Sequence, residues 1–311
     1  MGLLRRASLV AVTALVSVTG SPAHAVEFVH PLERGDEGRE VRALQVRVAG
    51  WFPDGEQVPF EIDGEYGRKT VVAVKAFEGH AGLKIDGVAD AKVLEELQTL
   101  RDKDGSTKNF DWSEFTQNES SACSNKANSF AGTFKGGPIS PVRVRMNVRR
   151  LMWRLEALRA KLGGHPIGIN SGFRSLAYNQ CIGGATASQH LYGTAADLRV
   201  ADTQNRRTRT VAKRTQFHGI GCYAATTHNH LDTRVDNTDY PSGRFWWWPD
   251  RDEEGRDLDE AGRPCWGEKP VDSAQGVVAL ALRVLHSALM PSPAETTRFS
   301  DDGEIRLPYP D

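Results

Sequence analysis

The sequence predicts an α+β chain in two parts: a small all-helical N-terminal bundle, then a larger domain that mixes helices with strands. A turn-and-helix unit recurs within residues 30–100. The stretch Pro141–Leu162 carries one apolar stripe at helical spacing. A strand-like run, Pro166-Ile167-Gly168-Ile169, follows it directly. The length of 311 residues suits two domains of roughly 100–200 residues each. The balance is that of a globular protein, 39% hydrophobic and 25% charged. Net charge is −1 and the pI is about 6.8, which gives no polyanion-binding footprint and argues against a nucleic-acid partner.

The N-terminus reads as a secretory signal over residues 1–25. Arg5 and Arg6 form a positive start and Ala7–Val18 an apolar stretch. The run Pro22-Ala23-His24-Ala25 then ends in an A-x-A cleavage pattern. The apolar run is shorter than the roughly 20 residues a membrane span needs, so no stable membrane insertion is expected after cleavage. Four cysteines remain: Cys123, Cys181, Cys222 and Cys265. An even count in an exported chain favours two disulfides. Three connectivities are open, and the sequential one closes the shorter loops. No C-x-x-C spacing suggests a structural zinc site.

In residues 30–100, Ile62-Asp63-Gly64 precedes a helical run with Thr70, Val74 and Phe77. Ile85-Asp86-Gly87 repeats the turn 23 residues later, before a second run from Ala91 to Leu97. Upstream, Leu32-Glu33-Arg34-Gly35-Asp36-Glu37-Gly38 leads into a helix whose Val41, Leu44 and Val48 share one face. The Asp-Gly pairs mark tight turns. This pattern resembles the peptidoglycan-binding module of bacterial wall hydrolases. The resemblance rests on the Leu-x-Arg-Gly-x-x-Gly start, Val41 with Leu44-Gln45, and the two Ile-Asp-Gly turns.

The polar stretch 101–120 reads as a linker. In Pro141–Leu162 the apolar positions are Val144, Val148, Leu151, Met152, Leu155 and Leu158. Ser140-Pro141 suits the start of this helix and Gly163-Gly164 its end. At the far end, Ala274–Met290 can form one more amphipathic helix, within a tail 269–311 of no assigned role. The run Phe245-Trp246-Trp247-Trp248-Pro249 either lines a cleft or closes the core.

Two segments carry chemistry. One is Ser188-Gln189-His190-Leu191-Tyr192-Gly193-Thr194-Ala195-Ala196-Asp197; the other is Thr227-His228-Asn229-His230-Leu231-Asp232. A catalytic zinc takes three His or carboxylate ligands and keeps one open position. His190 and Asp197 meet at one metal if the small residues between them fold back. On a strand, His228, His230 and Asp232 project to one face. One histidine there can bind metal while its neighbour carries protons. Asp232 can orient a histidine from behind.

The ordered set runs Ser171-Gly172-Phe173-Arg174-Ser175, Asn179, Gly183-Gly184-Ala185, Ser188-x-His190-x-x-Gly193-x-Ala195-x-Asp197, Gly219-Ile220-Gly221, and His228-x-His230 with Asp232. It resembles the zinc D-alanyl-D-alanine carboxypeptidase family, of the Hedgehog/DD-peptidase fold. The resemblance implies a catalytic domain over 121–268 with an antiparallel sheet flanked by helices. It implies one zinc (Zn2+) per chain, held by His190, Asp197 and His230. His228 becomes the general acid/base. Arg174 grips the substrate, with Ser188 and Tyr192 in the substrate pocket. Thr227 stands three positions before His230, where a related branch of the fold carries its glutamate base. That departure shifts the base role to His228, with Asp232 as the alternative. The implied reaction is hydrolysis of peptide bonds after D-alanine in peptidoglycan stem peptides by a secreted, wall-associated monomer. The alternatives are an inactive wall-binding protein and an L,D-endopeptidase of the same fold.

Overall fold

The computed structural model describes residues 28, 31–53, 58–117, 122–123, 132–222, 228–236, 246–251 and 257–258. The signal segment, Phe245, Cys265, the end of the expected catalytic domain and the expected helix Ala274–Met290 lie outside them. Among the described residues no helix is long and apolar enough to cross a membrane.

The N-terminal module holds α1 (Arg39–Val48), α2 (Arg68–Ala81) and α3 (Ala91–Thr99), the three helices the periodicity predicts. Val41, Leu44 and Val48 are wholly buried. Buried side chains pin the two Asp-Gly turns. Gln45 donates to the Asp63 carboxylate at 2.7 Å and accepts from the Gly64 N–H at 2.8 Å. The Glu78 carboxylate accepts from the Asp86 and Gly87 N–H groups. Asp90 caps α3, accepting from Lys92 and Val93.

The long helix α4 (Pro141–Lys161) begins at Ser140, whose hydroxyl accepts from Arg143 N–H, and has proline in its first turn. It presents two apolar stripes. Val144, Val148, Leu151, Leu155 and Leu158 enter the core of the second domain. Trp153, Ala157 and Ala160 enter the core of the N-terminal module. One helix therefore welds the two domains. Gly50 follows α1 in a short 3-10 turn, Ala49–Trp51, and sits against this second stripe. A Cβ there would lie 2.7 Å from the Ala157 Cβ. Lys161 donates to the Gly50 carbonyl at 2.7 Å and to the Arg214 carbonyl at 2.6 Å, one from each domain.

The stretch expected as linker is packed rather than loose. Phe110, Trp112 and Phe115 are buried in the second core. Asn109 donates twice to Glu156 of α4, at 2.9 and 2.7 Å. The polar residues around these aromatics form tight turns and the capping box of a 3-10 helix, Trp112–Thr116. The polarity that suggests a tether here belongs to turn chemistry.

The second domain adds β1 (Ile167–Ser171), α5 (Leu176–Cys181), β2 (Ala195–Val200), α6 (Asn205–Lys213), β3 (Gly219–Cys222), β4 (Asn229–Asp232), β5 (Trp246–Arg251) and β6 (Asp257–Leu258). The sheet order is β1-β2-β4-β3-β5-β6. The first four strands pair antiparallel, as the resemblance implies. β5 departs from that pattern and runs parallel to β3. A disulfide joins Cys123 to Cys181 at the end of α5, which fits the sequential connectivity.

Candidate metal centre

Strand register builds the site. In the β2–β4 pair Asp197 stands opposite His230, and Ala195 opposite Asp232. Cross-strand partners share a face of the sheet, so Asp197 and His230 meet with no contribution from a loop. His190 arrives from a 3-10 turn, Gln189–Tyr192, that ends at Gly193. Gly193 has φ +71°, and a Cβ on it would lie 2.9 Å from Val144 and Val148 of α4. That close approach swings the chain back from His190 into β2.

Three atoms converge. His230 Nδ1 lies 2.9 Å from Asp197 Oδ1 and 3.1 Å from His190 Nε2, and His190 Nε2 lies 3.3 Å from Asp197 Oδ1. A tetrahedral zinc with bonds of about 2.0–2.1 Å separates its ligand atoms by about 3.3 Å. The donor set of two imidazoles and one carboxylate is the kind zinc takes at catalytic sites. All three residues are buried, and the residues present fit the metal.

The outward-facing atoms are fixed too. His190 Nδ1 donates to the Gly172 carbonyl at 2.6 Å, which leaves Nε2 as the lone-pair nitrogen. Gly172 is pressed against Phe115, where a Cβ would lie 2.5 Å from the Phe115 Cα. On the other side His230 Nε2 meets Asp232 Oδ2 at 3.2 Å. Asp232 in turn is held by Arg234.

Electrostatics follows this geometry. Burial, with Arg174 adding to it, lowers the His190 pKa to about 4, so the ring stays neutral. Burial opposes the charge on His230, yet its hydrogen bonds to Asp197 and Asp232 prevail and raise its pKa. Burial would also raise both aspartates. The adjoining His190 and His230 hold Asp197 well below the usual carboxylate range. His230 and Arg234 do the same for Asp232.

Among the expected substrate residues, Arg174 is committed in part. It ion-pairs with Asp197 Oδ2, the oxygen turned away from the histidines, and its Nε donates to the Ser171 hydroxyl at 2.9 Å. Its Nη1 makes no hydrogen bond among the described residues. Ser188 and Tyr192 flank His190, both half-buried. The Tyr192 carbonyl accepts from Asn147 of α4 at 2.9 Å, and the Ser188 carbonyl accepts from Leu191 N–H. His228 is half-buried and stands one residue ahead of β4, so it flanks the strand on which period two was expected to place it. It is not one of the three converging groups. The side chains of Trp246–Pro249 lie outside the described structure, although their backbone forms β5 beside β3.

Sequence reasoning named Gly172 only as part of a motif, without a role, and missed Phe115 and Arg234. The first acts through a backbone carbonyl, which no side-chain pattern reveals. The last continues the alternation His228, His230, Asp232 by one more step, a signal that was present in the chain.

Comparison with known proteins assigns the chain to a family. Residues 113–232 match the family described as Peptidase M15, and residues 37–97 match the peptidoglycan binding domain family. The zinc D-Ala-D-Ala carboxypeptidase of Streptomyces albus G is 34% identical over 226 residues, which span 69% of this chain and 77% of that protein. A solved structure described as the SleB N-terminal domain matches 22% of this chain and 88% of its own length at 31% identity, with a TM-score of 0.19.

Proposed function

Because the chain belongs to the peptidase M15 family of zinc metallopeptidases and carries a peptidoglycan-binding domain, we propose that it hydrolyses peptide bonds following D-alanine in peptidoglycan stem peptides. The observation that carries this reading is the convergence of His190 Nε2, Asp197 Oδ1 and His230 Nδ1. These three residues would hold one zinc per chain. Held there, the metal would supply Lewis-acid polarisation of a carbonyl and a bound water more acidic than bulk water.

The remaining roles belong to this chain's own side chains. His228, two positions before His230, takes the proton released by the attacking water and passes it to the leaving amine. Arg174 offers Nη1 to a substrate carboxylate or carbonyl, while its other nitrogens stay on Asp197 and Ser171. Ser188 and Tyr192 form the adjacent wall of the pocket. Asp232 holds the back of His230.

The enzyme is read as a monomer, exported through residues 1–25 and held on the wall by residues 30–100. Its catalytic unit is placed within 121–268, and the packing of Phe110, Trp112 and Phe115 draws the preceding stretch into the same core. A wall-binding module favours a polymeric substrate, so cross-link cleavage stands beside removal of the terminal D-alanine as the same chemistry on a larger leaving group. The test is incubation with a soluble peptide ending in D-Ala-D-Ala and mass detection of free D-alanine. Release that stops on chelation and returns with zinc supports the reading. No release from that peptide or from cross-linked muropeptides overturns it.

A further inference from the structure

We infer that Arg234 is a positioning residue for the metal ligand His230, acting through Asp232; this rests on the ligand set proposed above. Arg234 opens a short 3-10 turn directly after β4. Its Nη2 donates to Asp232 Oδ2 at 2.6 Å, its Nε to Oδ1 at 2.9 Å, and its backbone N–H to Oδ1 at 3.0 Å. Both carboxylate oxygens are therefore gripped by one fork, and neither residue has much access to water: Asp232 is fully buried and Arg234 is 6% exposed.

The third boundary of the carboxylate is Gly219, the register partner of Asp232 on β3. A Cβ at Gly219 would fall 2.0 Å from Asp232 Oδ2. The space beside the carboxylate exists only because glycine stands there. Fork and gap together leave Oδ2 one orientation, in which it also meets His230 Nε2 at 3.2 Å. An oxygen already accepting from Arg234 accepts again from the imidazole, so Nε2 carries the hydrogen. With Nε2 holding its hydrogen on Asp232, Nδ1, which faces His190 and Asp197, is the nitrogen left to give up its proton and offer a lone pair to a metal. Arg234 thus sets the tautomer and tilt of a ligand it does not touch.

A lysine would supply the charge without the planar fork. That difference gives the test. Arg234→Met and Arg234→Lys are made in the full chain. Zinc affinity is measured by chelator competition, together with the visible absorption of the cobalt-substituted protein and the melting temperature of the metal-free form. The expected result is a loss of zinc affinity of about 10–100-fold in Arg234→Met. Lysine should rescue it poorly, the cobalt spectrum should shift in both variants, and KM for a D-Ala-D-Ala peptide should stay near the parent value. A variant that folds and binds zinc with parental affinity and spectrum overturns the inference, even if its melting temperature falls, because the role is then structural alone. If Arg234→Met does not fold, Arg234→Lys decides by the same readouts. His230→Ala separates the two layers. If it keeps parental zinc affinity, the ligand reading itself fails. If it loses zinc while both Arg234 variants bind normally, only the positioning role fails.

Discussion

Asp197 and His230 face each other in register across β2 and β4, with Oδ1 2.9 Å from Nδ1, while the other oxygen of Asp197 is paired with Arg174. One carboxylate thus serves the proposed metal position and the proposed substrate arginine. Asp197→Asn should weaken both. It removes the anionic ligand and leaves a largely buried guanidinium without its counter-charge, a loss of several kcal/mol when one partner of a buried pair is deleted. Zinc content after purification should fall far below one equivalent and the melting temperature should drop. A variant that retains full zinc would show that Asp197 is not a ligand.

The two-stripe packing of α4 leads to a second prediction. Gly50 has the Ala157 Cβ and Arg154 Cα within 2.7 and 3.1 Å of where its own Cβ would sit. Gly50→Leu must push the module away from α4. Overpacking of this kind costs about 1–3 kcal/mol. Thermal unfolding followed by tryptophan fluorescence, to which Trp51 and Trp153 at this interface contribute, should begin at a lower temperature. Zinc content and turnover of a soluble peptide should be preserved, because His190, Asp197 and His230, the proposed ligands, are not part of this interface. Unchanged unfolding would mean that the domains are not held through this contact.

How much of this was legible from the chain depends on which atoms do the work. The three converging groups could be found from residues 188–197 and 227–232, because ligand side chains leave their identities in the sequence. Period two also placed His230 and Asp232 on one face, as the β4 pairing bears out. The single stripe read from the chain on α4 leaves out Trp153, Ala157 and Ala160, because small and aromatic residues on the opposite side of a helix do not name a partner. Only the fold shows that they belong with the preceding domain. Gly172 contributes a carbonyl and Gly219 an empty space, and neither has a side-chain signature. The residues before Trp112 were read as a tether because turn-forming polar residues and tether residues look alike in composition.

Acid should destabilise the protein through His218. This residue is wholly buried, and burial lowers its pKa to about 4 against the opposing pull of Asp236. The unfolded chain takes up a proton near pH 6.5, whereas the folded chain does so only near 4. The unfolded state therefore binds more protons in that window, and stability falls as pH falls through it. From pH 7 to pH 5 the loss from this group is about 2 kcal/mol. Urea unfolding of the metal-free protein at the two pH values measures it. His218→Gln should flatten the dependence by about that amount, and an equally steep dependence in the variant would assign the acid sensitivity elsewhere.

The division of labour within the His-x-His pair is open to direct test. His230 belongs to the converging group, and His228 stands outside it at the threshold of β4. His228→Ala should keep zinc at the parental level, since no ligand is removed. Turnover of a D-Ala-D-Ala peptide should fall by about 10²–10⁴, the usual contribution of a general acid/base. The fall should appear in kcat with KM little changed, because proton transfer to the leaving amine belongs to the transition state. Zinc loss in His228→Ala, with zinc retained in His230→Ala, would reverse the two assignments. Parental turnover in His228→Ala would overturn its assignment as the acid/base, since the buried Asp232 is already held by Arg234 and His230 Nε2.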